Sequence, residues 1–189
     1  MAADIVLGDG ALGDDATVDQ DVMVRMRDGI HIACDVFRPK KPGRYPVIFA
    51  SSPYIKDAID LPSTSMYRYR ETGNVAKWVS MGYVYVHADV RGSGKSEGTY
   101  DVWGPKEQMD YYDMIEWAGT QAWSNGRVGM FGESYYGMNQ WQAAQHNPPH
   151  LACIAPYDAG ADIYRHFVYK GGILAIRSEG HTSELQSRL

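Results

Sequence analysis

The chain has 189 residues, 44% hydrophobic, 12% aromatic and 22% charged, a composition that suits one folded domain and excludes disordered or collagen-like chains. Lys and Arg total 18 against 23 Asp and Glu, for a formal charge of -5. Without a polybasic footprint, neither nucleic acid nor an anionic membrane surface is an expected partner. Cys34 and Cys153 fit neither a zinc pattern nor a disulfide framework, and both are expected to be buried free thiols. The apolar stretches around Pro46–Ala50 and Gly82–Ala88 are too short to cross a bilayer. Met1–Asp19 is acidic where a secretory leader is basic and then apolar, so a cytoplasmic protein is expected.

In chain order, residues 1–19 are rich in Gly, Ala and Asp and predict a loose lead-in. Gln20–Met26 and Ile30–Phe37 read as strands around Arg27-Asp28-Gly29, whose Asp-Gly pair suits a tight hairpin turn. Val47–Ala50 is a continuously apolar run, as expected of a central strand covered on both faces. Ser51–Ser65 reads as a polar loop. Glu71–Met81 carries Val75, Trp78 and Val79 at helical spacing, and Gly82 ends it before a buried strand, Tyr83–Ala88. This makes a first β-α-β unit.

Asp89–Tyr100 is a glycine-rich loop. Lys106–Gly119 puts Met109, Tyr112, Ile115 and Trp117 on a helical period, after which Asn125-Gly126 is expected to turn the chain. Arg127–Phe131 predicts a short strand, Tyr135–His146 a helix stopped by Pro148-Pro149, and Leu151–Ala155 another apolar strand. Asp158–Lys170 reads as the start of a further helical region. The alternation predicts an α/β fold with a mainly parallel, doubly wound sheet and an antiparallel N-terminal hairpin.

Three segments carry candidate chemistry. Gly132-Glu133-Ser134-Tyr135-Tyr136-Gly137 lies between a predicted strand and helix, where a tight turn lifts a serine hydroxyl above the sheet beside helix-start N–H groups. The generic elbow is G-x-S-x-G, whereas here the second glycine comes one place later, and a helix N-cap is the competing reading of Ser134. Gly94-Lys95-Ser96 imitates the end of a phosphate-binding loop, but Asp89 stands where that loop needs its first glycine and Glu97 repels phosphate. Nucleotide binding is not expected. Tyr54 follows the third strand at the sheet end where ligands bind, either offering its phenol to developing negative charge or packing on Pro53.

Together the blocks Met26–Gly29, Asp35–Pro39, Ser52-Pro53-Tyr54, Asp89–Gly98 and Trp123–Gly137 resemble the α/β-hydrolase family of X-prolyl dipeptidyl-peptidases, cocaine esterase and α-amino-acid ester hydrolases. The likeness covers about Asp21 to Arg165, and the family elbow, G-x-S-Y-x-G, matches the displaced glycine. The resemblance implies Ser134 as acyl-accepting nucleophile, with the Tyr135 backbone N–H and the Tyr54 hydroxyl as oxyanion hole. It implies structural support from Asp89, Arg91, Gly92, Gly132 and Gly137. The implied substrates are small esters, amides or short peptides, with no cofactor and no metal.

In this fold the acid and the histidine follow the serine on loops after later strands. They are expected beyond residue 189, with Asp158, Asp162, His146, His150 and His166 as weaker substitutes and His31 and His87 as structural. An incomplete hydrolase fold is therefore expected: a partial domain over residues 20–161, an approach to a cap domain over 162–176, and a tail over 177–189. Arg177–Ser187, His181 included, is similar to the translation of a common sequencing adapter and is expected to be foreign to the native reading frame. The expected function is a serine hydrolase of which this chain is an inactive fragment; the alternative is a noncatalytic interaction module on the same fold.

Overall fold

A computed structural model describes residues 13–57 and 71–174. The expectations for residues 1–12, for the loop over 58–65 and for the tail over 177–189 lie outside the described residues. A six-stranded sheet is ordered β1-β2-β4-β3-β5-β6. Its strands are β1 (Ala16–Arg25), β2 (His31–Pro39), β3 (Tyr45–Ser52), β4 (Val84–Asp89), β5 (Ser124–Glu133) and β6 (Leu151–Tyr157). The β1–β2 and β2–β4 pairs are antiparallel, and β4–β3, β3–β5 and β5–β6 are parallel. This is the mainly parallel sheet with an antiparallel hairpin that the alternation of elements predicts.

The hairpin turns where Asp28-Gly29 stands: Gly29 has φ 95° and its N–H donates to the Met26 carbonyl at 3.0 Å. Strand β1 begins at Ala16, inside the stretch read as lead-in, because Ala16–Asp19 pair with Val36–Pro39. Such edge pairing needs backbone groups rather than a hydrophobic run, so composition does not reveal it.

Helices α1 (Val75–Ser80), α2 (Pro105–Thr120) and α3 (Tyr135–Ala144) connect the parallel strands. Successive side chains of a strand face opposite sides. Val47, Phe49, Val84 and Val86 thus enter one core with Met114, Ile115 and Ala118 of α2. Ile48, Ala50 and Tyr85 enter the other with Val75 and Val79 of α1. Burial on both faces explains why β3 and β4 read as unbroken apolar runs.

Three local expectations are corrected. Asn125-Gly126 does not end a segment: both belong to β5, where Asn125–Arg127 bulge between the Ser124–Tyr45 and Val128–Val47 pairs and Gly126 takes φ 84°. The buried face of α2 is Glu107, Asp110, Tyr111, Met114, Ile115, Ala118 and Gly119, not the stripe through Met109, Tyr112 and Trp117. Its two acids have buried partners from distant elements, which a local apolar count misses. Cys34 is buried on β2, but Cys153 is exposed on β6, an edge strand of the sheet among the described residues. After β6 the chain forms a π-helical turn, Tyr164–Val168, and a small hairpin of β7 (Tyr169–Lys170) and β8 (Ile173–Leu174). Among the described residues, no helix is long and apolar enough to cross a membrane.

Candidate active site

Ser134 stands alone between β5 and α3, with φ 55° and ψ -119°. A non-glycine residue there carries strain of about 1–3 kcal/mol, which persists only when its surroundings hold it. The Gly137 and Met138 N–H groups donate to the Ser134 carbonyl at 3.0 and 2.8 Å, and the Glu133 N–H donates to the Glu71 carbonyl at 2.9 Å. The two glycines are steric requirements. A Cβ on Gly132 would lie 2.4 Å from the Tyr136 Cβ, and one on Gly137 would lie 2.4 Å from the Ala159 Cβ and 3.0 Å from the Gly132 carbonyl. The second glycine therefore belongs at position 137, where α3 crosses β5 and β6.

Although Ser134 occupies the N-cap position, its side chain makes no capping hydrogen bond. The half-buried residue instead lines an open cleft of about 560 Å³ with Glu71, Glu133, Asp158, Gly160 and His166. Tyr135, as first residue of α3, has a backbone N–H that no intrahelical carbonyl accepts.

Tyr54 reaches the same end of the sheet because β3 and β5 are parallel neighbours. Its ring meets those of Tyr135 and Tyr136 edge-on, with centroids 6.1 Å apart in each case. It therefore packs on the first turn of α3. Ser52 accepts the Tyr54 N–H at 3.1 Å and donates to the Tyr136 hydroxyl at 2.6 Å, which lies 2.9 Å from His87 Nε2. His87 is buried, and burial holds it down at about 3, so it stays neutral.

The loop after β4 is built around two buried charges. The Asp89 carboxylate accepts the Lys56 N–H at 2.6 Å and the Lys95 N–H at 3.1 Å. A Cβ on Gly94 would lie 2.1 Å from Asp89 Oδ2, so a carboxylate fills the turn that imitates a phosphate loop. Arg91 binds Asp110 of α2 in bidentate fashion at 2.7 and 2.6 Å and reaches Asp28 at 3.1 Å. Gly92, at φ 69°, leaves no room for a Cβ, which would stand 2.2 Å from the Tyr100 nitrogen.

The remaining candidates divide. Asp158 and His166 line the Ser134 cleft; His166 Nδ1 accepts the Asp162 N–H at 3.2 Å, and Asp162 pairs with Arg165. His31 pairs with Glu97, His150 with Glu116, and His146 lies 3.1 Å from Gln108 Oε1, so these three are engaged away from the elbow. His181 lies outside the described residues.

Two groups escaped the sequence reading. Glu107, fully buried in the first turn of α2, accepts hydrogen bonds from the Tyr111 and Tyr135 hydroxyls, directly behind the elbow. Burial pushes it up to about 7, against those two hydrogen bonds. The other is the Lys56 ammonium, which meets Asp21, Asp35 and Asp57. A Glu at i and Tyr at i+4 on one helix was the only available signal for the first; the second joins segments remote in sequence.

Against known proteins, the model of the X-Pro dipeptidyl-peptidase (S15) family matches residues 28–188. Cocaine esterase of Rhodococcus sp. (strain MB1 Bresler) is 40% identical over 163 residues, covering 86% of this chain and 27% of the relative. A CocE/NonD family hydrolase from Staphylococcus aureus superposes with a TM-score of 0.74 at 36% identity, over 80% of this chain and 29% of that one. An α-amino acid ester hydrolase superposes with a TM-score of 0.67 at 29% identity, over 85% of this chain and 28% of that one. The chain thus spans between a quarter and a third of the length of these relatives.

Proposed function

Since the chain belongs to the X-Pro dipeptidyl-peptidase (S15) family of α/β-hydrolases, we propose that it carries the nucleophile and oxyanion hole of a serine hydrolase acting on small esters, amides or short peptides. One observation carries this reading: a strained serine whose hydroxyl caps nothing and whose residue opens onto a cleft. A serine kept at φ 55° for capping alone would be destabilising without return.

In this reading the Ser134 oxygen attacks the substrate carbonyl while a histidine takes its proton, and the carbonyl oxygen becomes an oxyanion. The Tyr135 N–H and the Tyr54 hydroxyl donate to it. Collapse returns the proton to the departing alcohol or amine and leaves an acyl-serine, which water hydrolyses by the same steps. Losing one oxyanion donor costs about 3 kcal/mol of transition-state binding, equivalent to a loss of 10²- to 10³-fold in kcat. The triad acid and histidine follow the nucleophile on loops after later strands. After Ser134 the described part of the main sheet contains only β6, so this reading assigns both to sequence beyond it.

The test is fluorophosphonate labelling of the full-length gene product. Stoichiometric labelling that Ser134→Ala abolishes, together with ester or amide hydrolysis, is the expected result. An unlabelled, folded full-length protein would overturn it and leave a noncatalytic module on a hydrolase fold.

A further inference from the structure

The loop that presents Tyr54 is clamped on both sides of the tyrosine. Two residues before it, Ser52 binds the Tyr54 N–H and the Tyr136 hydroxyl. Two residues after it, the Lys56 N–H donates to Asp89 at the end of β4, and the Lys56 side chain turns inward with no solvent exposure. Its ammonium lies 2.6 Å from Asp21 of β1, 3.0 Å from Asp35 of β2 and 2.8 Å from Asp57.

Strand β1 is shaped to make this contact. Its register with β2 breaks between Asp19 and Val22, Asp21 takes φ 53°, and the Asp21 N–H donates to the Asp35 carboxylate at 2.9 Å. Lys95 closes the outer side, at 2.7 Å from Asp21 and 3.0 Å from Asp57. Removing an ammonium from water is costly, and packing alone would be met as well by an apolar side chain of similar length. What an apolar side chain lacks is direction: Asp21 and Asp35, from two strands outside the loop, fix where the loop can sit, while Asp57 is an acceptor within the loop itself.

We propose that Lys56 is a positioning residue, whose ammonium ties the Tyr54 loop to β1 and β2 and so places the Tyr54 hydroxyl for the oxyanion. This rests on the reading of Tyr54 as an oxyanion donor. Such a donor stabilises charge only if it is in place before charge develops, so loosening its loop lowers kcat while substrate binding is retained.

The test is a double-mutant cycle on the full-length gene product, combining Lys56→Met with Tyr54→Phe. Lys56→Met is expected to lower kcat about 10- to 100-fold, with KM changed by no more than about twofold. In the Tyr54→Phe background that decrement is expected to vanish, because the group being positioned is gone. Asp21→Asn, at the half-exposed edge of the cluster, is expected to give a smaller loss of the same pattern.

An equal kcat loss in both backgrounds, or no loss, overturns the inference while leaving the oxyanion reading standing. Unchanged kcat in Tyr54→Phe alone overturns the oxyanion reading, and this inference with it. If Lys56→Met does not fold, Lys56→Met/Asp35→Asn, which removes both buried charges together, and Asp21→Asn complete the cycle with the same criteria.

Discussion

At the scale of single residues, the site is surrounded by ionisable groups whose burial opposes their charged forms. Glu107 holds the Tyr135 hydroxyl and is pushed by burial from the ordinary 4.5 to about 7. Between those values the folded chain binds the proton more tightly than the unfolded chain. The contribution is therefore complete below pH 4.5 and lost as pH rises through 7. A displacement of that size corresponds to about 3 kcal/mol. Glu107→Gln keeps an acceptor for Tyr111 and Tyr135 without the titration. Relative to the parent, it is expected to gain by up to about 3 kcal/mol from pH 4.5 to pH 8. Melting temperatures of both proteins at the two pH values check this; a constant difference would refute it. His87 runs the other way: held near 3 by burial, it favours the folded state above its ordinary 6.5, and that contribution fades as pH falls.

Among the elements, the contact of α3 with β5 and β6 decides whether the elbow forms. Gly137 lies in the first turn of α3, where alanine would gain about 1 kcal/mol of helix propensity. Steric conflict outweighs that gain, because the added Cβ would stand 2.4 Å from Ala159 and 3.0 Å from the Gly132 carbonyl. Overpacking of this kind costs about 1–3 kcal/mol and moves backbone. Gly137→Ala is therefore expected to lower the melting temperature and to slow fluorophosphonate labelling of Ser134, whereas stability at the parent value would count against the close approach described. On the other flank, Arg91 joins the β4 loop to Asp110 of α2, and α2 delivers Glu107 to Tyr135. Helix α2 thus supports the elbow from behind.

For the molecule as a whole, the sheet is unevenly covered. Strands β3 and β4 are buried on both faces, while Ala152, Cys153 and Ala155 of β6 are exposed. Among the described residues β6 pairs with β5 alone, and an edge strand with exposed apolar side chains offers its outer side to other chains. The isolated 189-residue chain is therefore expected to self-associate through β6. Sedimentation would detect the larger species, and hydrogen exchange in Leu151–Ala155, already slowed in part by pairing with β5, would slow further on association. A soluble monomer that melts cooperatively, with that strand protected along its full length, would contradict the expectation.

The hairpin at Asp28-Gly29, the apolar β3 and β4, the helix after Ser134 and the order of elements were all legible in the chain, since each depends on local conformation or on a short period of side chains. The strand-to-helix turn at Ser134 was legible through its glycines. The strand register that extends β1 to Ala16, the polar buried face of α2 and the exposure of Cys153 were not. The same holds for the gathering of Asp21, Asp35 and Asp57 around Lys56. These depend on which partners arrive from elsewhere in the chain: a charge is buried only where distant segments supply its counter-charge, and a cysteine is exposed when its strand lies at the sheet's edge. Local sequence specifies the elements; their assembly decides which polar groups can leave water.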